Sequence, residues 1–552
     1  MHANTMRKQA LALMTLLLFA AFFLRVAGLD GTPPGVAFDV TWDLADSVRI
    51  NQGVAFPAVF DTRPEPIHRF LMAGWLRLTG EHVFTALLMH GLAGTFTVAL
   101  TYRTGLVLLR NKPYRYSGAI IAAAALAAIV PHIFLSRVLY RVVFTPIVIL
   151  TALILLLHAN RTQHIRTWGW GGFAAASGVH TYIAGIASLP WLIGYIIHQS
   201  IFQKGRKIGW WNGLALIAGA AIAIAPWALL IYLVPGLFFR ISETASEPRS
   251  IFQTLVDGVA GAGRAFFVDG YHIPLYNTPE SPFINPLLAV FVFIGIFAAL
   301  LRWRHADGAL ILGGLGAFII PAAFTVNPNH STRLVGTMPF LALLAGWGFS
   351  QLAFWISQKR ENTLLFRRAI TISMIFIAGI SLTASHLAYQ NMFTDPRRYD
   401  DPKDWHDIPH NYTTALFDAL DILKDVDQPT YVPLELIDQP LSYFMLQRRD
   451  YFPHVTTWAR HGLEELPAGQ VFYPTLTYYH APTFDNYSLQ VLLLPDEDTI
   501  VILPELPIER PAGDEVEEVI SEDGYLIAHT APRPASPLIM PNLQLDPAPT
   551  LS

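Results

Sequence analysis

Cysteine is absent from the 552 residues. Its absence excludes thiol nucleophiles, disulfides and thiolate metal sites, and leaves the compartment open. Charge is scarce as well. Asp, Glu, Lys and Arg make up 14% of the chain, against roughly 25% in soluble domains. The net charge is −4 and no basic block marks a nucleic-acid face, so no nucleic-acid partner is expected. What fills the chain is apolar: 53% hydrophobic residues and a mean hydropathy of +0.39. An integral membrane protein follows.

A spanning helix needs roughly 17–25 mostly apolar residues. About eleven such runs precede Gln390, near 11–29, 84–109, 117–135, 138–158, 168–184, 186–201, 210–234, 283–301, 309–326, 334–356 and 366–387. The first is too long for a signal-peptide core and reads as an uncleaved anchor. Arg7 and Lys8 precede it. Alternate later loops hold Arg110/Lys112/Arg115, Arg161/Arg166, Lys204/Arg206/Lys207, Arg302/Arg304 and Lys359/Arg360/Arg367/Arg368. With eleven spans all of these fall on one side, which is then cytoplasmic.

The fold class expected is an α-helical polytopic membrane protein with a small extracytoplasmic α/β domain at the C-terminus. Residues 1–389 form the membrane part, with outward loops 30–82 and 235–282. Residues 390–534 form the α/β domain, with a helix near 413–424 and strands near 430–434, 470–473, 489–494, 499–503 and 525–528. Residues 535–552 are Pro-rich and expected to be disordered. The setting is the plasma (inner) membrane, with the N-terminus cytoplasmic and the tail outside. Residues 66–78 predict a short amphipathic helix along the interface, carrying Ile67, Phe70, Leu71 and Trp75.

The first outward loop holds the densest acidic and aromatic cluster: Phe38, Asp39, Trp42, Asp43, Asp46 and Asp61, then Arg63-Pro64-Glu65-Pro66. Asp39 and Asp43 share a face if the stretch is helical. Either carboxylate can serve as a general base for a hydroxyl; the bland alternative is a solvated loop. Trp42 offers a stacking surface for a sugar ring. Glu65 either contacts sugar hydroxyls and orients the base, or caps the interfacial helix. Arg137 and Arg141 sit in a short outward hairpin, where cations run against the positive-inside trend. Their spacing of four suggests one helical face and a paired guanidinium site for a phosphate; snorkelling, or a pair with a loop carboxylate, is the alternative. His180 and Tyr182, and His330 with Arg333, end two other spans on the same side. They either line the same cavity or pack. No spacing supports a metal site.

Several motifs in order resemble the bacterial C-type glycosyltransferases of the protein O-mannosyltransferase and aminoarabinose-transferase superfamily. They are Leu24-Arg25, Pro33-Pro34-Gly35 and Asp39; Arg63-Pro64-Glu65-Pro66; Gly91-Leu92-Ala93-Gly94-Thr95; Ser136-Arg137 with Arg141; His180-Thr181-Tyr182; Phe266-Phe267, Tyr276-Asn277-Thr278-Pro279 and Asn285-Pro286; and His330-Ser331-Thr332-Arg333. The chain departs from the family at Val40, where relatives often carry Glu, and at Asn285, where they tend to carry Asp.

The resemblance implies a C-type glycosyltransferase fold and a sugar donor linked to polyprenyl phosphate. It implies transfer to a lipid, glycan or protein hydroxyl on the outer face. Asp39, with Asp43 and Glu65, would be catalytic. Arg137, Arg141 and Arg333 would hold the donor phosphate, and Trp42, His180, Tyr182 and His330 would line the substrate site. One base and a single displacement imply inversion, and arginines in place of a divalent metal imply no cofactor. Membrane lipids are the remaining partners. A transporter or flippase of a lipid-linked glycan would share the outward cavity without needing a base. A non-catalytic membrane scaffold would need neither.

Overall fold

The computed structural model describes residues 2–29, 38–51, 53, 65–202, 208–233, 250–270, 281–325, 328–358 and 363–394, and six strands between 430 and 530. The chain divides into two compact units. One comprises residues 1–29 and 49–395, the other 30–48 and 396–552.

The first unit is a helical bundle. Among the described residues, eight helices are long and apolar enough to cross a membrane, against the eleven expected. They are Arg7–Val26 within α1 (His2–Val26), α4 (Val83–Leu108), Arg141–Thr162 ending in α7 (Phe144–Thr162), and Ile183–Phe202 ending in α9 (Ser188–Phe202). The rest are α10 (Trp210–Leu233), α13 (Ala306–Ala323), Ser331–Ser357, and Arg368–Asn391 within α16 (Thr363–Thr394). Ser331–Ser357 joins the single turn α14 (Ser331–Leu334) to α15 (Met338–Ser357).

The other three expected spans correspond to shorter helices: α5 (Arg115–Ala128), α8 (Ile165–Ala176) and α12 (Pro286–Leu300). Two of them are cut short for visible reasons. α5 stops because Ile129 is extended and Pro131 opens the next short helix, α6 (Val130–Leu135). Proline has no N–H to return to the carbonyl four residues back. That carbonyl, on Ala127, instead accepts from Arg25, and the Ala128 carbonyl accepts from Ser385. α8 gives way to 3₁₀ turns at Ser177–His180 and Ile183–Ala187. Hydropathy averaged along the chain reads through both breaks.

α5 is central. Every residue from Gly118 to Ala128 is buried, against α4, α15 and α16. Small residues let helices approach closely where lipid offers no hydrophobic drive. A Cβ on Gly346 of α15 would collide with the Gly118 carbonyl of α5. Gly94, in the Gly91–Thr95 motif of α4, does the same for the turn after α6, since a Cβ there would overlap the Ser136 hydroxyl. This motif therefore sets packing around Arg25 and Arg137.

Two shorter helices complete the unit. α3 (Pro66–Thr79) matches the amphipathic helix expected. His68, Arg69, Met72, Ala73 and Leu76 are buried, while Ile67, Phe70, Leu71 and Leu78 are exposed. α11 (Ile251–Phe267) buries Thr254, Gly258 and Ala262 and exposes Ile251, Phe252 and Val259.

The second unit contains α2 (Phe38–Asn51) up to Val48, and the strands. Thr430–Val432 (β1), Val455–Thr457 (β2), Leu489–Leu494 (β3) and Thr499–Pro504 (β4) form one sheet in the order β2-β1-β4-β3. β1 runs parallel to β2 and β4, and β3 runs antiparallel to β4. Val516–Ile520 (β5) and Leu526–Thr530 (β6) form a separate antiparallel pair. β2 and β5 were not expected from the sequence. The helix expected near 413–424, the strand near 470–473 and the tail 535–552 lie outside the described residues.

Candidate active site

Glu65 is the N-cap residue of α3, with Pro66 at the first helical position. A carboxylate there usually accepts from the helix amides. This one makes no side-chain cap bond. Glu65 Oε2 lies 3.3 Å from Arg141 Nε instead, with both side chains 4% exposed or less. The alternative in which Glu65 caps the interfacial helix is therefore corrected: the residue opens the helix, but its charge serves Arg141.

Arg141 begins the 3₁₀ turn Arg141–Val143 that leads into α7. Its guanidinium carbon is 5.7 Å from the Tyr140 ring centroid and 5.5 Å from that of Tyr182. The two rings lie 5.8 Å apart. The Tyr182 hydroxyl is 3.4 Å from the Thr332 hydroxyl, which is 2.8 Å from His330 Nδ1. Glu65, Arg141, Tyr182, Thr332 and His330 thus form one continuous buried cluster drawn from four segments of the chain. Beside it, the Thr145 and Thr181 hydroxyls pair at 2.9 Å. Two aromatic faces and a carboxylate thus surround the guanidinium.

His330 is the N-cap of α14. Its Nδ1 accepts from the Thr332 amide, so that nitrogen carries no proton. Burial, with the Arg333 cation as a smaller cause, pushes the imidazole down to about 3. The unfolded chain binds this proton near pH 6.5 and the folded chain does not, so stability is highest above pH 6.5 and declines toward pH 3. Thermal unfolding of wild type is expected to shift to lower temperature from pH 7 to pH 4. His330→Asn, which keeps a capping oxygen without a titrating ring, should flatten that dependence. An unchanged slope in the variant would assign the pH effect elsewhere.

Arg137 is placed differently. Residues 136–140 form a turn and an extended stretch, not a helix, so the spacing of four does not put the two arginines on one helical face. Arg137 donates to the Leu24, Ala27 and Gly28 carbonyls at 3.0, 2.8 and 3.0 Å, and lies 5.2 Å from the Tyr389 ring centroid. The last carbonyls of a helix carry partial negative charge, and Arg137 caps those of α1. Arg25, fully buried one turn back, donates to the Ala21 carbonyl and meets His132 Nδ1 at 2.9 Å. His180 donates Nε2–H to the Ala223 carbonyl of α10 at 2.6 Å, which ties two helices together. Arg333 is half-buried on α14, next to His330.

The acidic stretch is helical, as its spacing requires for a shared face. Asp39, Asp43 and Asp46 fall at i, i+4 and i+7 of α2. Asp43 is 0% exposed and Asp46 is 4% exposed, which removes the solvated-loop alternative for these two. The side chains of Asp39 and Trp42 lie outside the described residues, as do Asp61 to Pro64 and Tyr276 to Pro279. Asn285, one of the departures from the family motifs, caps α12 by accepting from the Leu288 amide at 3.0 Å. An aspartate would make the same bond.

Three contributors were not nominated from the sequence: Tyr140, Thr332 and the pair His68–His90. Tyr140 and Thr332 adjoin nominated cations in the chain. The histidines, on α3 and α4, meet at 2.9 Å between Nε2 atoms, with the Phe144 ring 5.5 and 5.9 Å away. A donation from His90 Nδ1–H to the Ala86 carbonyl leaves His90 Nε2 as the acceptor. Among the described residues, no group of three His, Asp or Glu side chains is placed to hold a metal ion.

No protein-family model matches the chain, and no curated protein matches its sequence. Solved structures do. ArnT from Cupriavidus metallidurans bound to undecaprenyl phosphate is similar at 13% identity and TM-score 0.49, over 80% of this chain and 85% of that one. Its apo state gives 14% identity and TM-score 0.47, over 81% and 85%. The oligosaccharyltransferase AglB from Archaeoglobus fulgidus, in complex with an inhibitory peptide and a dolichol-phosphate, gives 13% identity and TM-score 0.46. That match covers 76% of this chain and 58% of AglB.

Proposed function

We propose that this chain is an integral membrane glycosyltransferase that moves a sugar from a polyprenyl-phosphate donor to an acceptor hydroxyl on the outer face, with inversion. The observation that carries the reading is the buried Glu65–Arg141 pair set between Tyr140 and Tyr182. A carboxylate that leaves its own helix uncapped to hold a guanidinium suits catalysis better than helix stability. Preorganised cations facing a developing phosphate charge lower the barrier to its departure.

In the proposed reaction the acceptor oxygen attacks the anomeric carbon and its proton passes to Asp39, or to Asp43 one turn on. The bond from that carbon to the phosphate oxygen breaks. The polyprenyl phosphate leaves with the electron pair, its added charge met by Arg141 and Arg333. Arg137 contributes by fixing the end of α1, from which the first outward loop departs. Glu65 keeps Arg141 charged and aligned, and His330, through Thr332 and Tyr182, sets the ring against which the guanidinium rests.

Purified protein should transfer sugar from at least one member of a panel of polyprenyl-phosphate sugars. Donor binding without transfer across the panel would favour the transport reading. The topology belongs to the same proposal. A reporter fused after Gln390 should score extracytoplasmic, and a cytoplasmic score would put Arg141 and Arg333 on the wrong face.

A further inference from the structure

Arg25 lies in the last turn of α1 with its side chain fully buried. A snorkelling arginine keeps its head in water, and this one does not. Its Nη1 donates to the Ala21 carbonyl at 3.1 Å. Its Nη2 donates to the Ala127 carbonyl at 3.4 Å and to His132 Nδ1 at 2.9 Å. Among the described residues no carboxylate pairs with it, and Arg25 Nε and His132 Nε2 are buried with no hydrogen-bond partner. Burying a charge without a counter-ion is costly, and inside a membrane such residues mark function more often than packing. The dipole of α1 does not account for it. The Leu24, Ala27 and Gly28 carbonyls at that helix end already accept from Arg137.

The two Nη2 bonds fall on opposite sides of one backbone break. Ala127 belongs to α5 and His132 to α6, with extended Ile129 between them. One nitrogen therefore holds both halves, while Ser385 of α16 takes the neighbouring Ala128 carbonyl. α6 runs on into the turn that carries Arg137 and Arg141, and the Ser136 hydroxyl donates back to the His132 carbonyl. Two arginines thus cross in opposite directions, Arg25 from α1 to α6 and Arg137 from the turn to α1. Gly94 of α4 backs the crossing: a Cβ there would overlap the Ser136 side chain and come within 3.1 Å of Arg25 Cδ. Every residue from Ile129 to Val143 is buried. Close-packed interiors transmit a displacement rather than absorb it, so a change of angle at the break reaches Arg141.

We propose that Arg25 is a positioning residue that locks the α5–α6 break at one angle and thereby fixes Arg141 relative to the end of α1, after which the first outward loop begins. The catalytic consequence rests on the glycosyltransferase reading above; the lock itself does not. Arg25 acts through Arg141 and touches no substrate. Its loss leaves the Arg141 charge in the site but turns it away from the phosphate oxygen that must depart.

The test uses full-length protein carrying Arg25→Met or Arg25→Lys. Methionine fills the space without a charge. Lysine keeps the charge but lacks the fork that spans the break. Arg25→Met should unfold at a temperature close to that of wild type, because the cost of the unpaired charge disappears with its hydrogen bonds. Its kcat per folded molecule should fall about 10²-fold, the usual effect of a small misplacement, with donor KM nearly unchanged. Arg25→Lys should fall in the same direction. Amide hydrogen exchange across residues 129–143 should quicken about tenfold in both, as local opening becomes easier. Full kcat in either folded variant overturns the proposal. So does a loss of folded protein that accounts for all the lost turnover, and failure of both variants to fold assigns Arg25 to folding alone. If wild type itself transfers no sugar, the glycosyltransferase reading fails separately, and exchange still decides the lock: unchanged exchange across 129–143 overturns it.

Discussion

Replacing Asp39 with asparagine is expected to lower sugar-transfer turnover by about 10²–10⁴-fold, the usual contribution of a general base, with donor binding preserved. Asparagine keeps the shape and removes the proton acceptor. The expectation rests on three things: the resemblance, which places an acid at this position; the helical state of α2; and the two buried carboxylates that continue the same face. Asp43 and Asp46 are packed away from solvent. Asp39 stands one residue inside the start of α2. If Asp43→Asn abolishes transfer and Asp39→Asn does not, the base is one turn further along. If neither matters in a working assay, the loop is not catalytic and the transport reading takes precedence.

Arg141→Ala is expected to destabilise the protein by about 3–5 kcal/mol, because it strands a buried Glu65 carboxylate. Arg141→Lys separates the two roles of this residue. It keeps a positive charge opposite Glu65, so the fold should survive. It removes the flat guanidinium that lies near Tyr140 and Tyr182 and could grip a phosphate with two prongs, so transfer should fall sharply. Full transfer by a folded Lys variant would rule out Arg141 as the phosphate anchor. A double-mutant cycle with Glu65→Gln adds an independent check. Residues in one ion pair couple, so the double variant should lose clearly less stability than the sum of the singles.

The bundle was largely legible in the sequence, because a bilayer imposes one length and one composition on whatever crosses it. All eleven apolar runs contain helices. Among the described residues eight spans are full length, and local backbone chemistry overrode hydropathy in two of the other three runs. Pro131 split one run, and 3₁₀ turns around His180 cut another. The site was legible in its residue types and less so in its pairings. Arg137 and Arg141 look alike in the sequence, four apart in one hairpin, yet one caps α1 and the other holds Glu65. That difference comes from a turn conformation that helical spacing rules do not describe. Glu65 looked like a cap because of Pro66 beside it. Only the three-dimensional placement of Arg141, 76 positions later, shows where its charge is used. His180 carried the ambiguity of any membrane histidine, and its Nε2 is bonded to the Ala223 carbonyl.

Glu65 is also the residue immediately before α3, a helix whose exposed side is Ile67, Phe70, Leu71 and Leu78. Such a face floats at the depth where headgroups meet chains. A single peptide bond joins that helix to the carboxylate opposite Arg141. If α3 lies at that depth, bilayer thickness is expected to alter turnover without any molecule entering the site. Turnover measured in thin, thick or curved membranes becomes a gauge of how far this helix rides up or down.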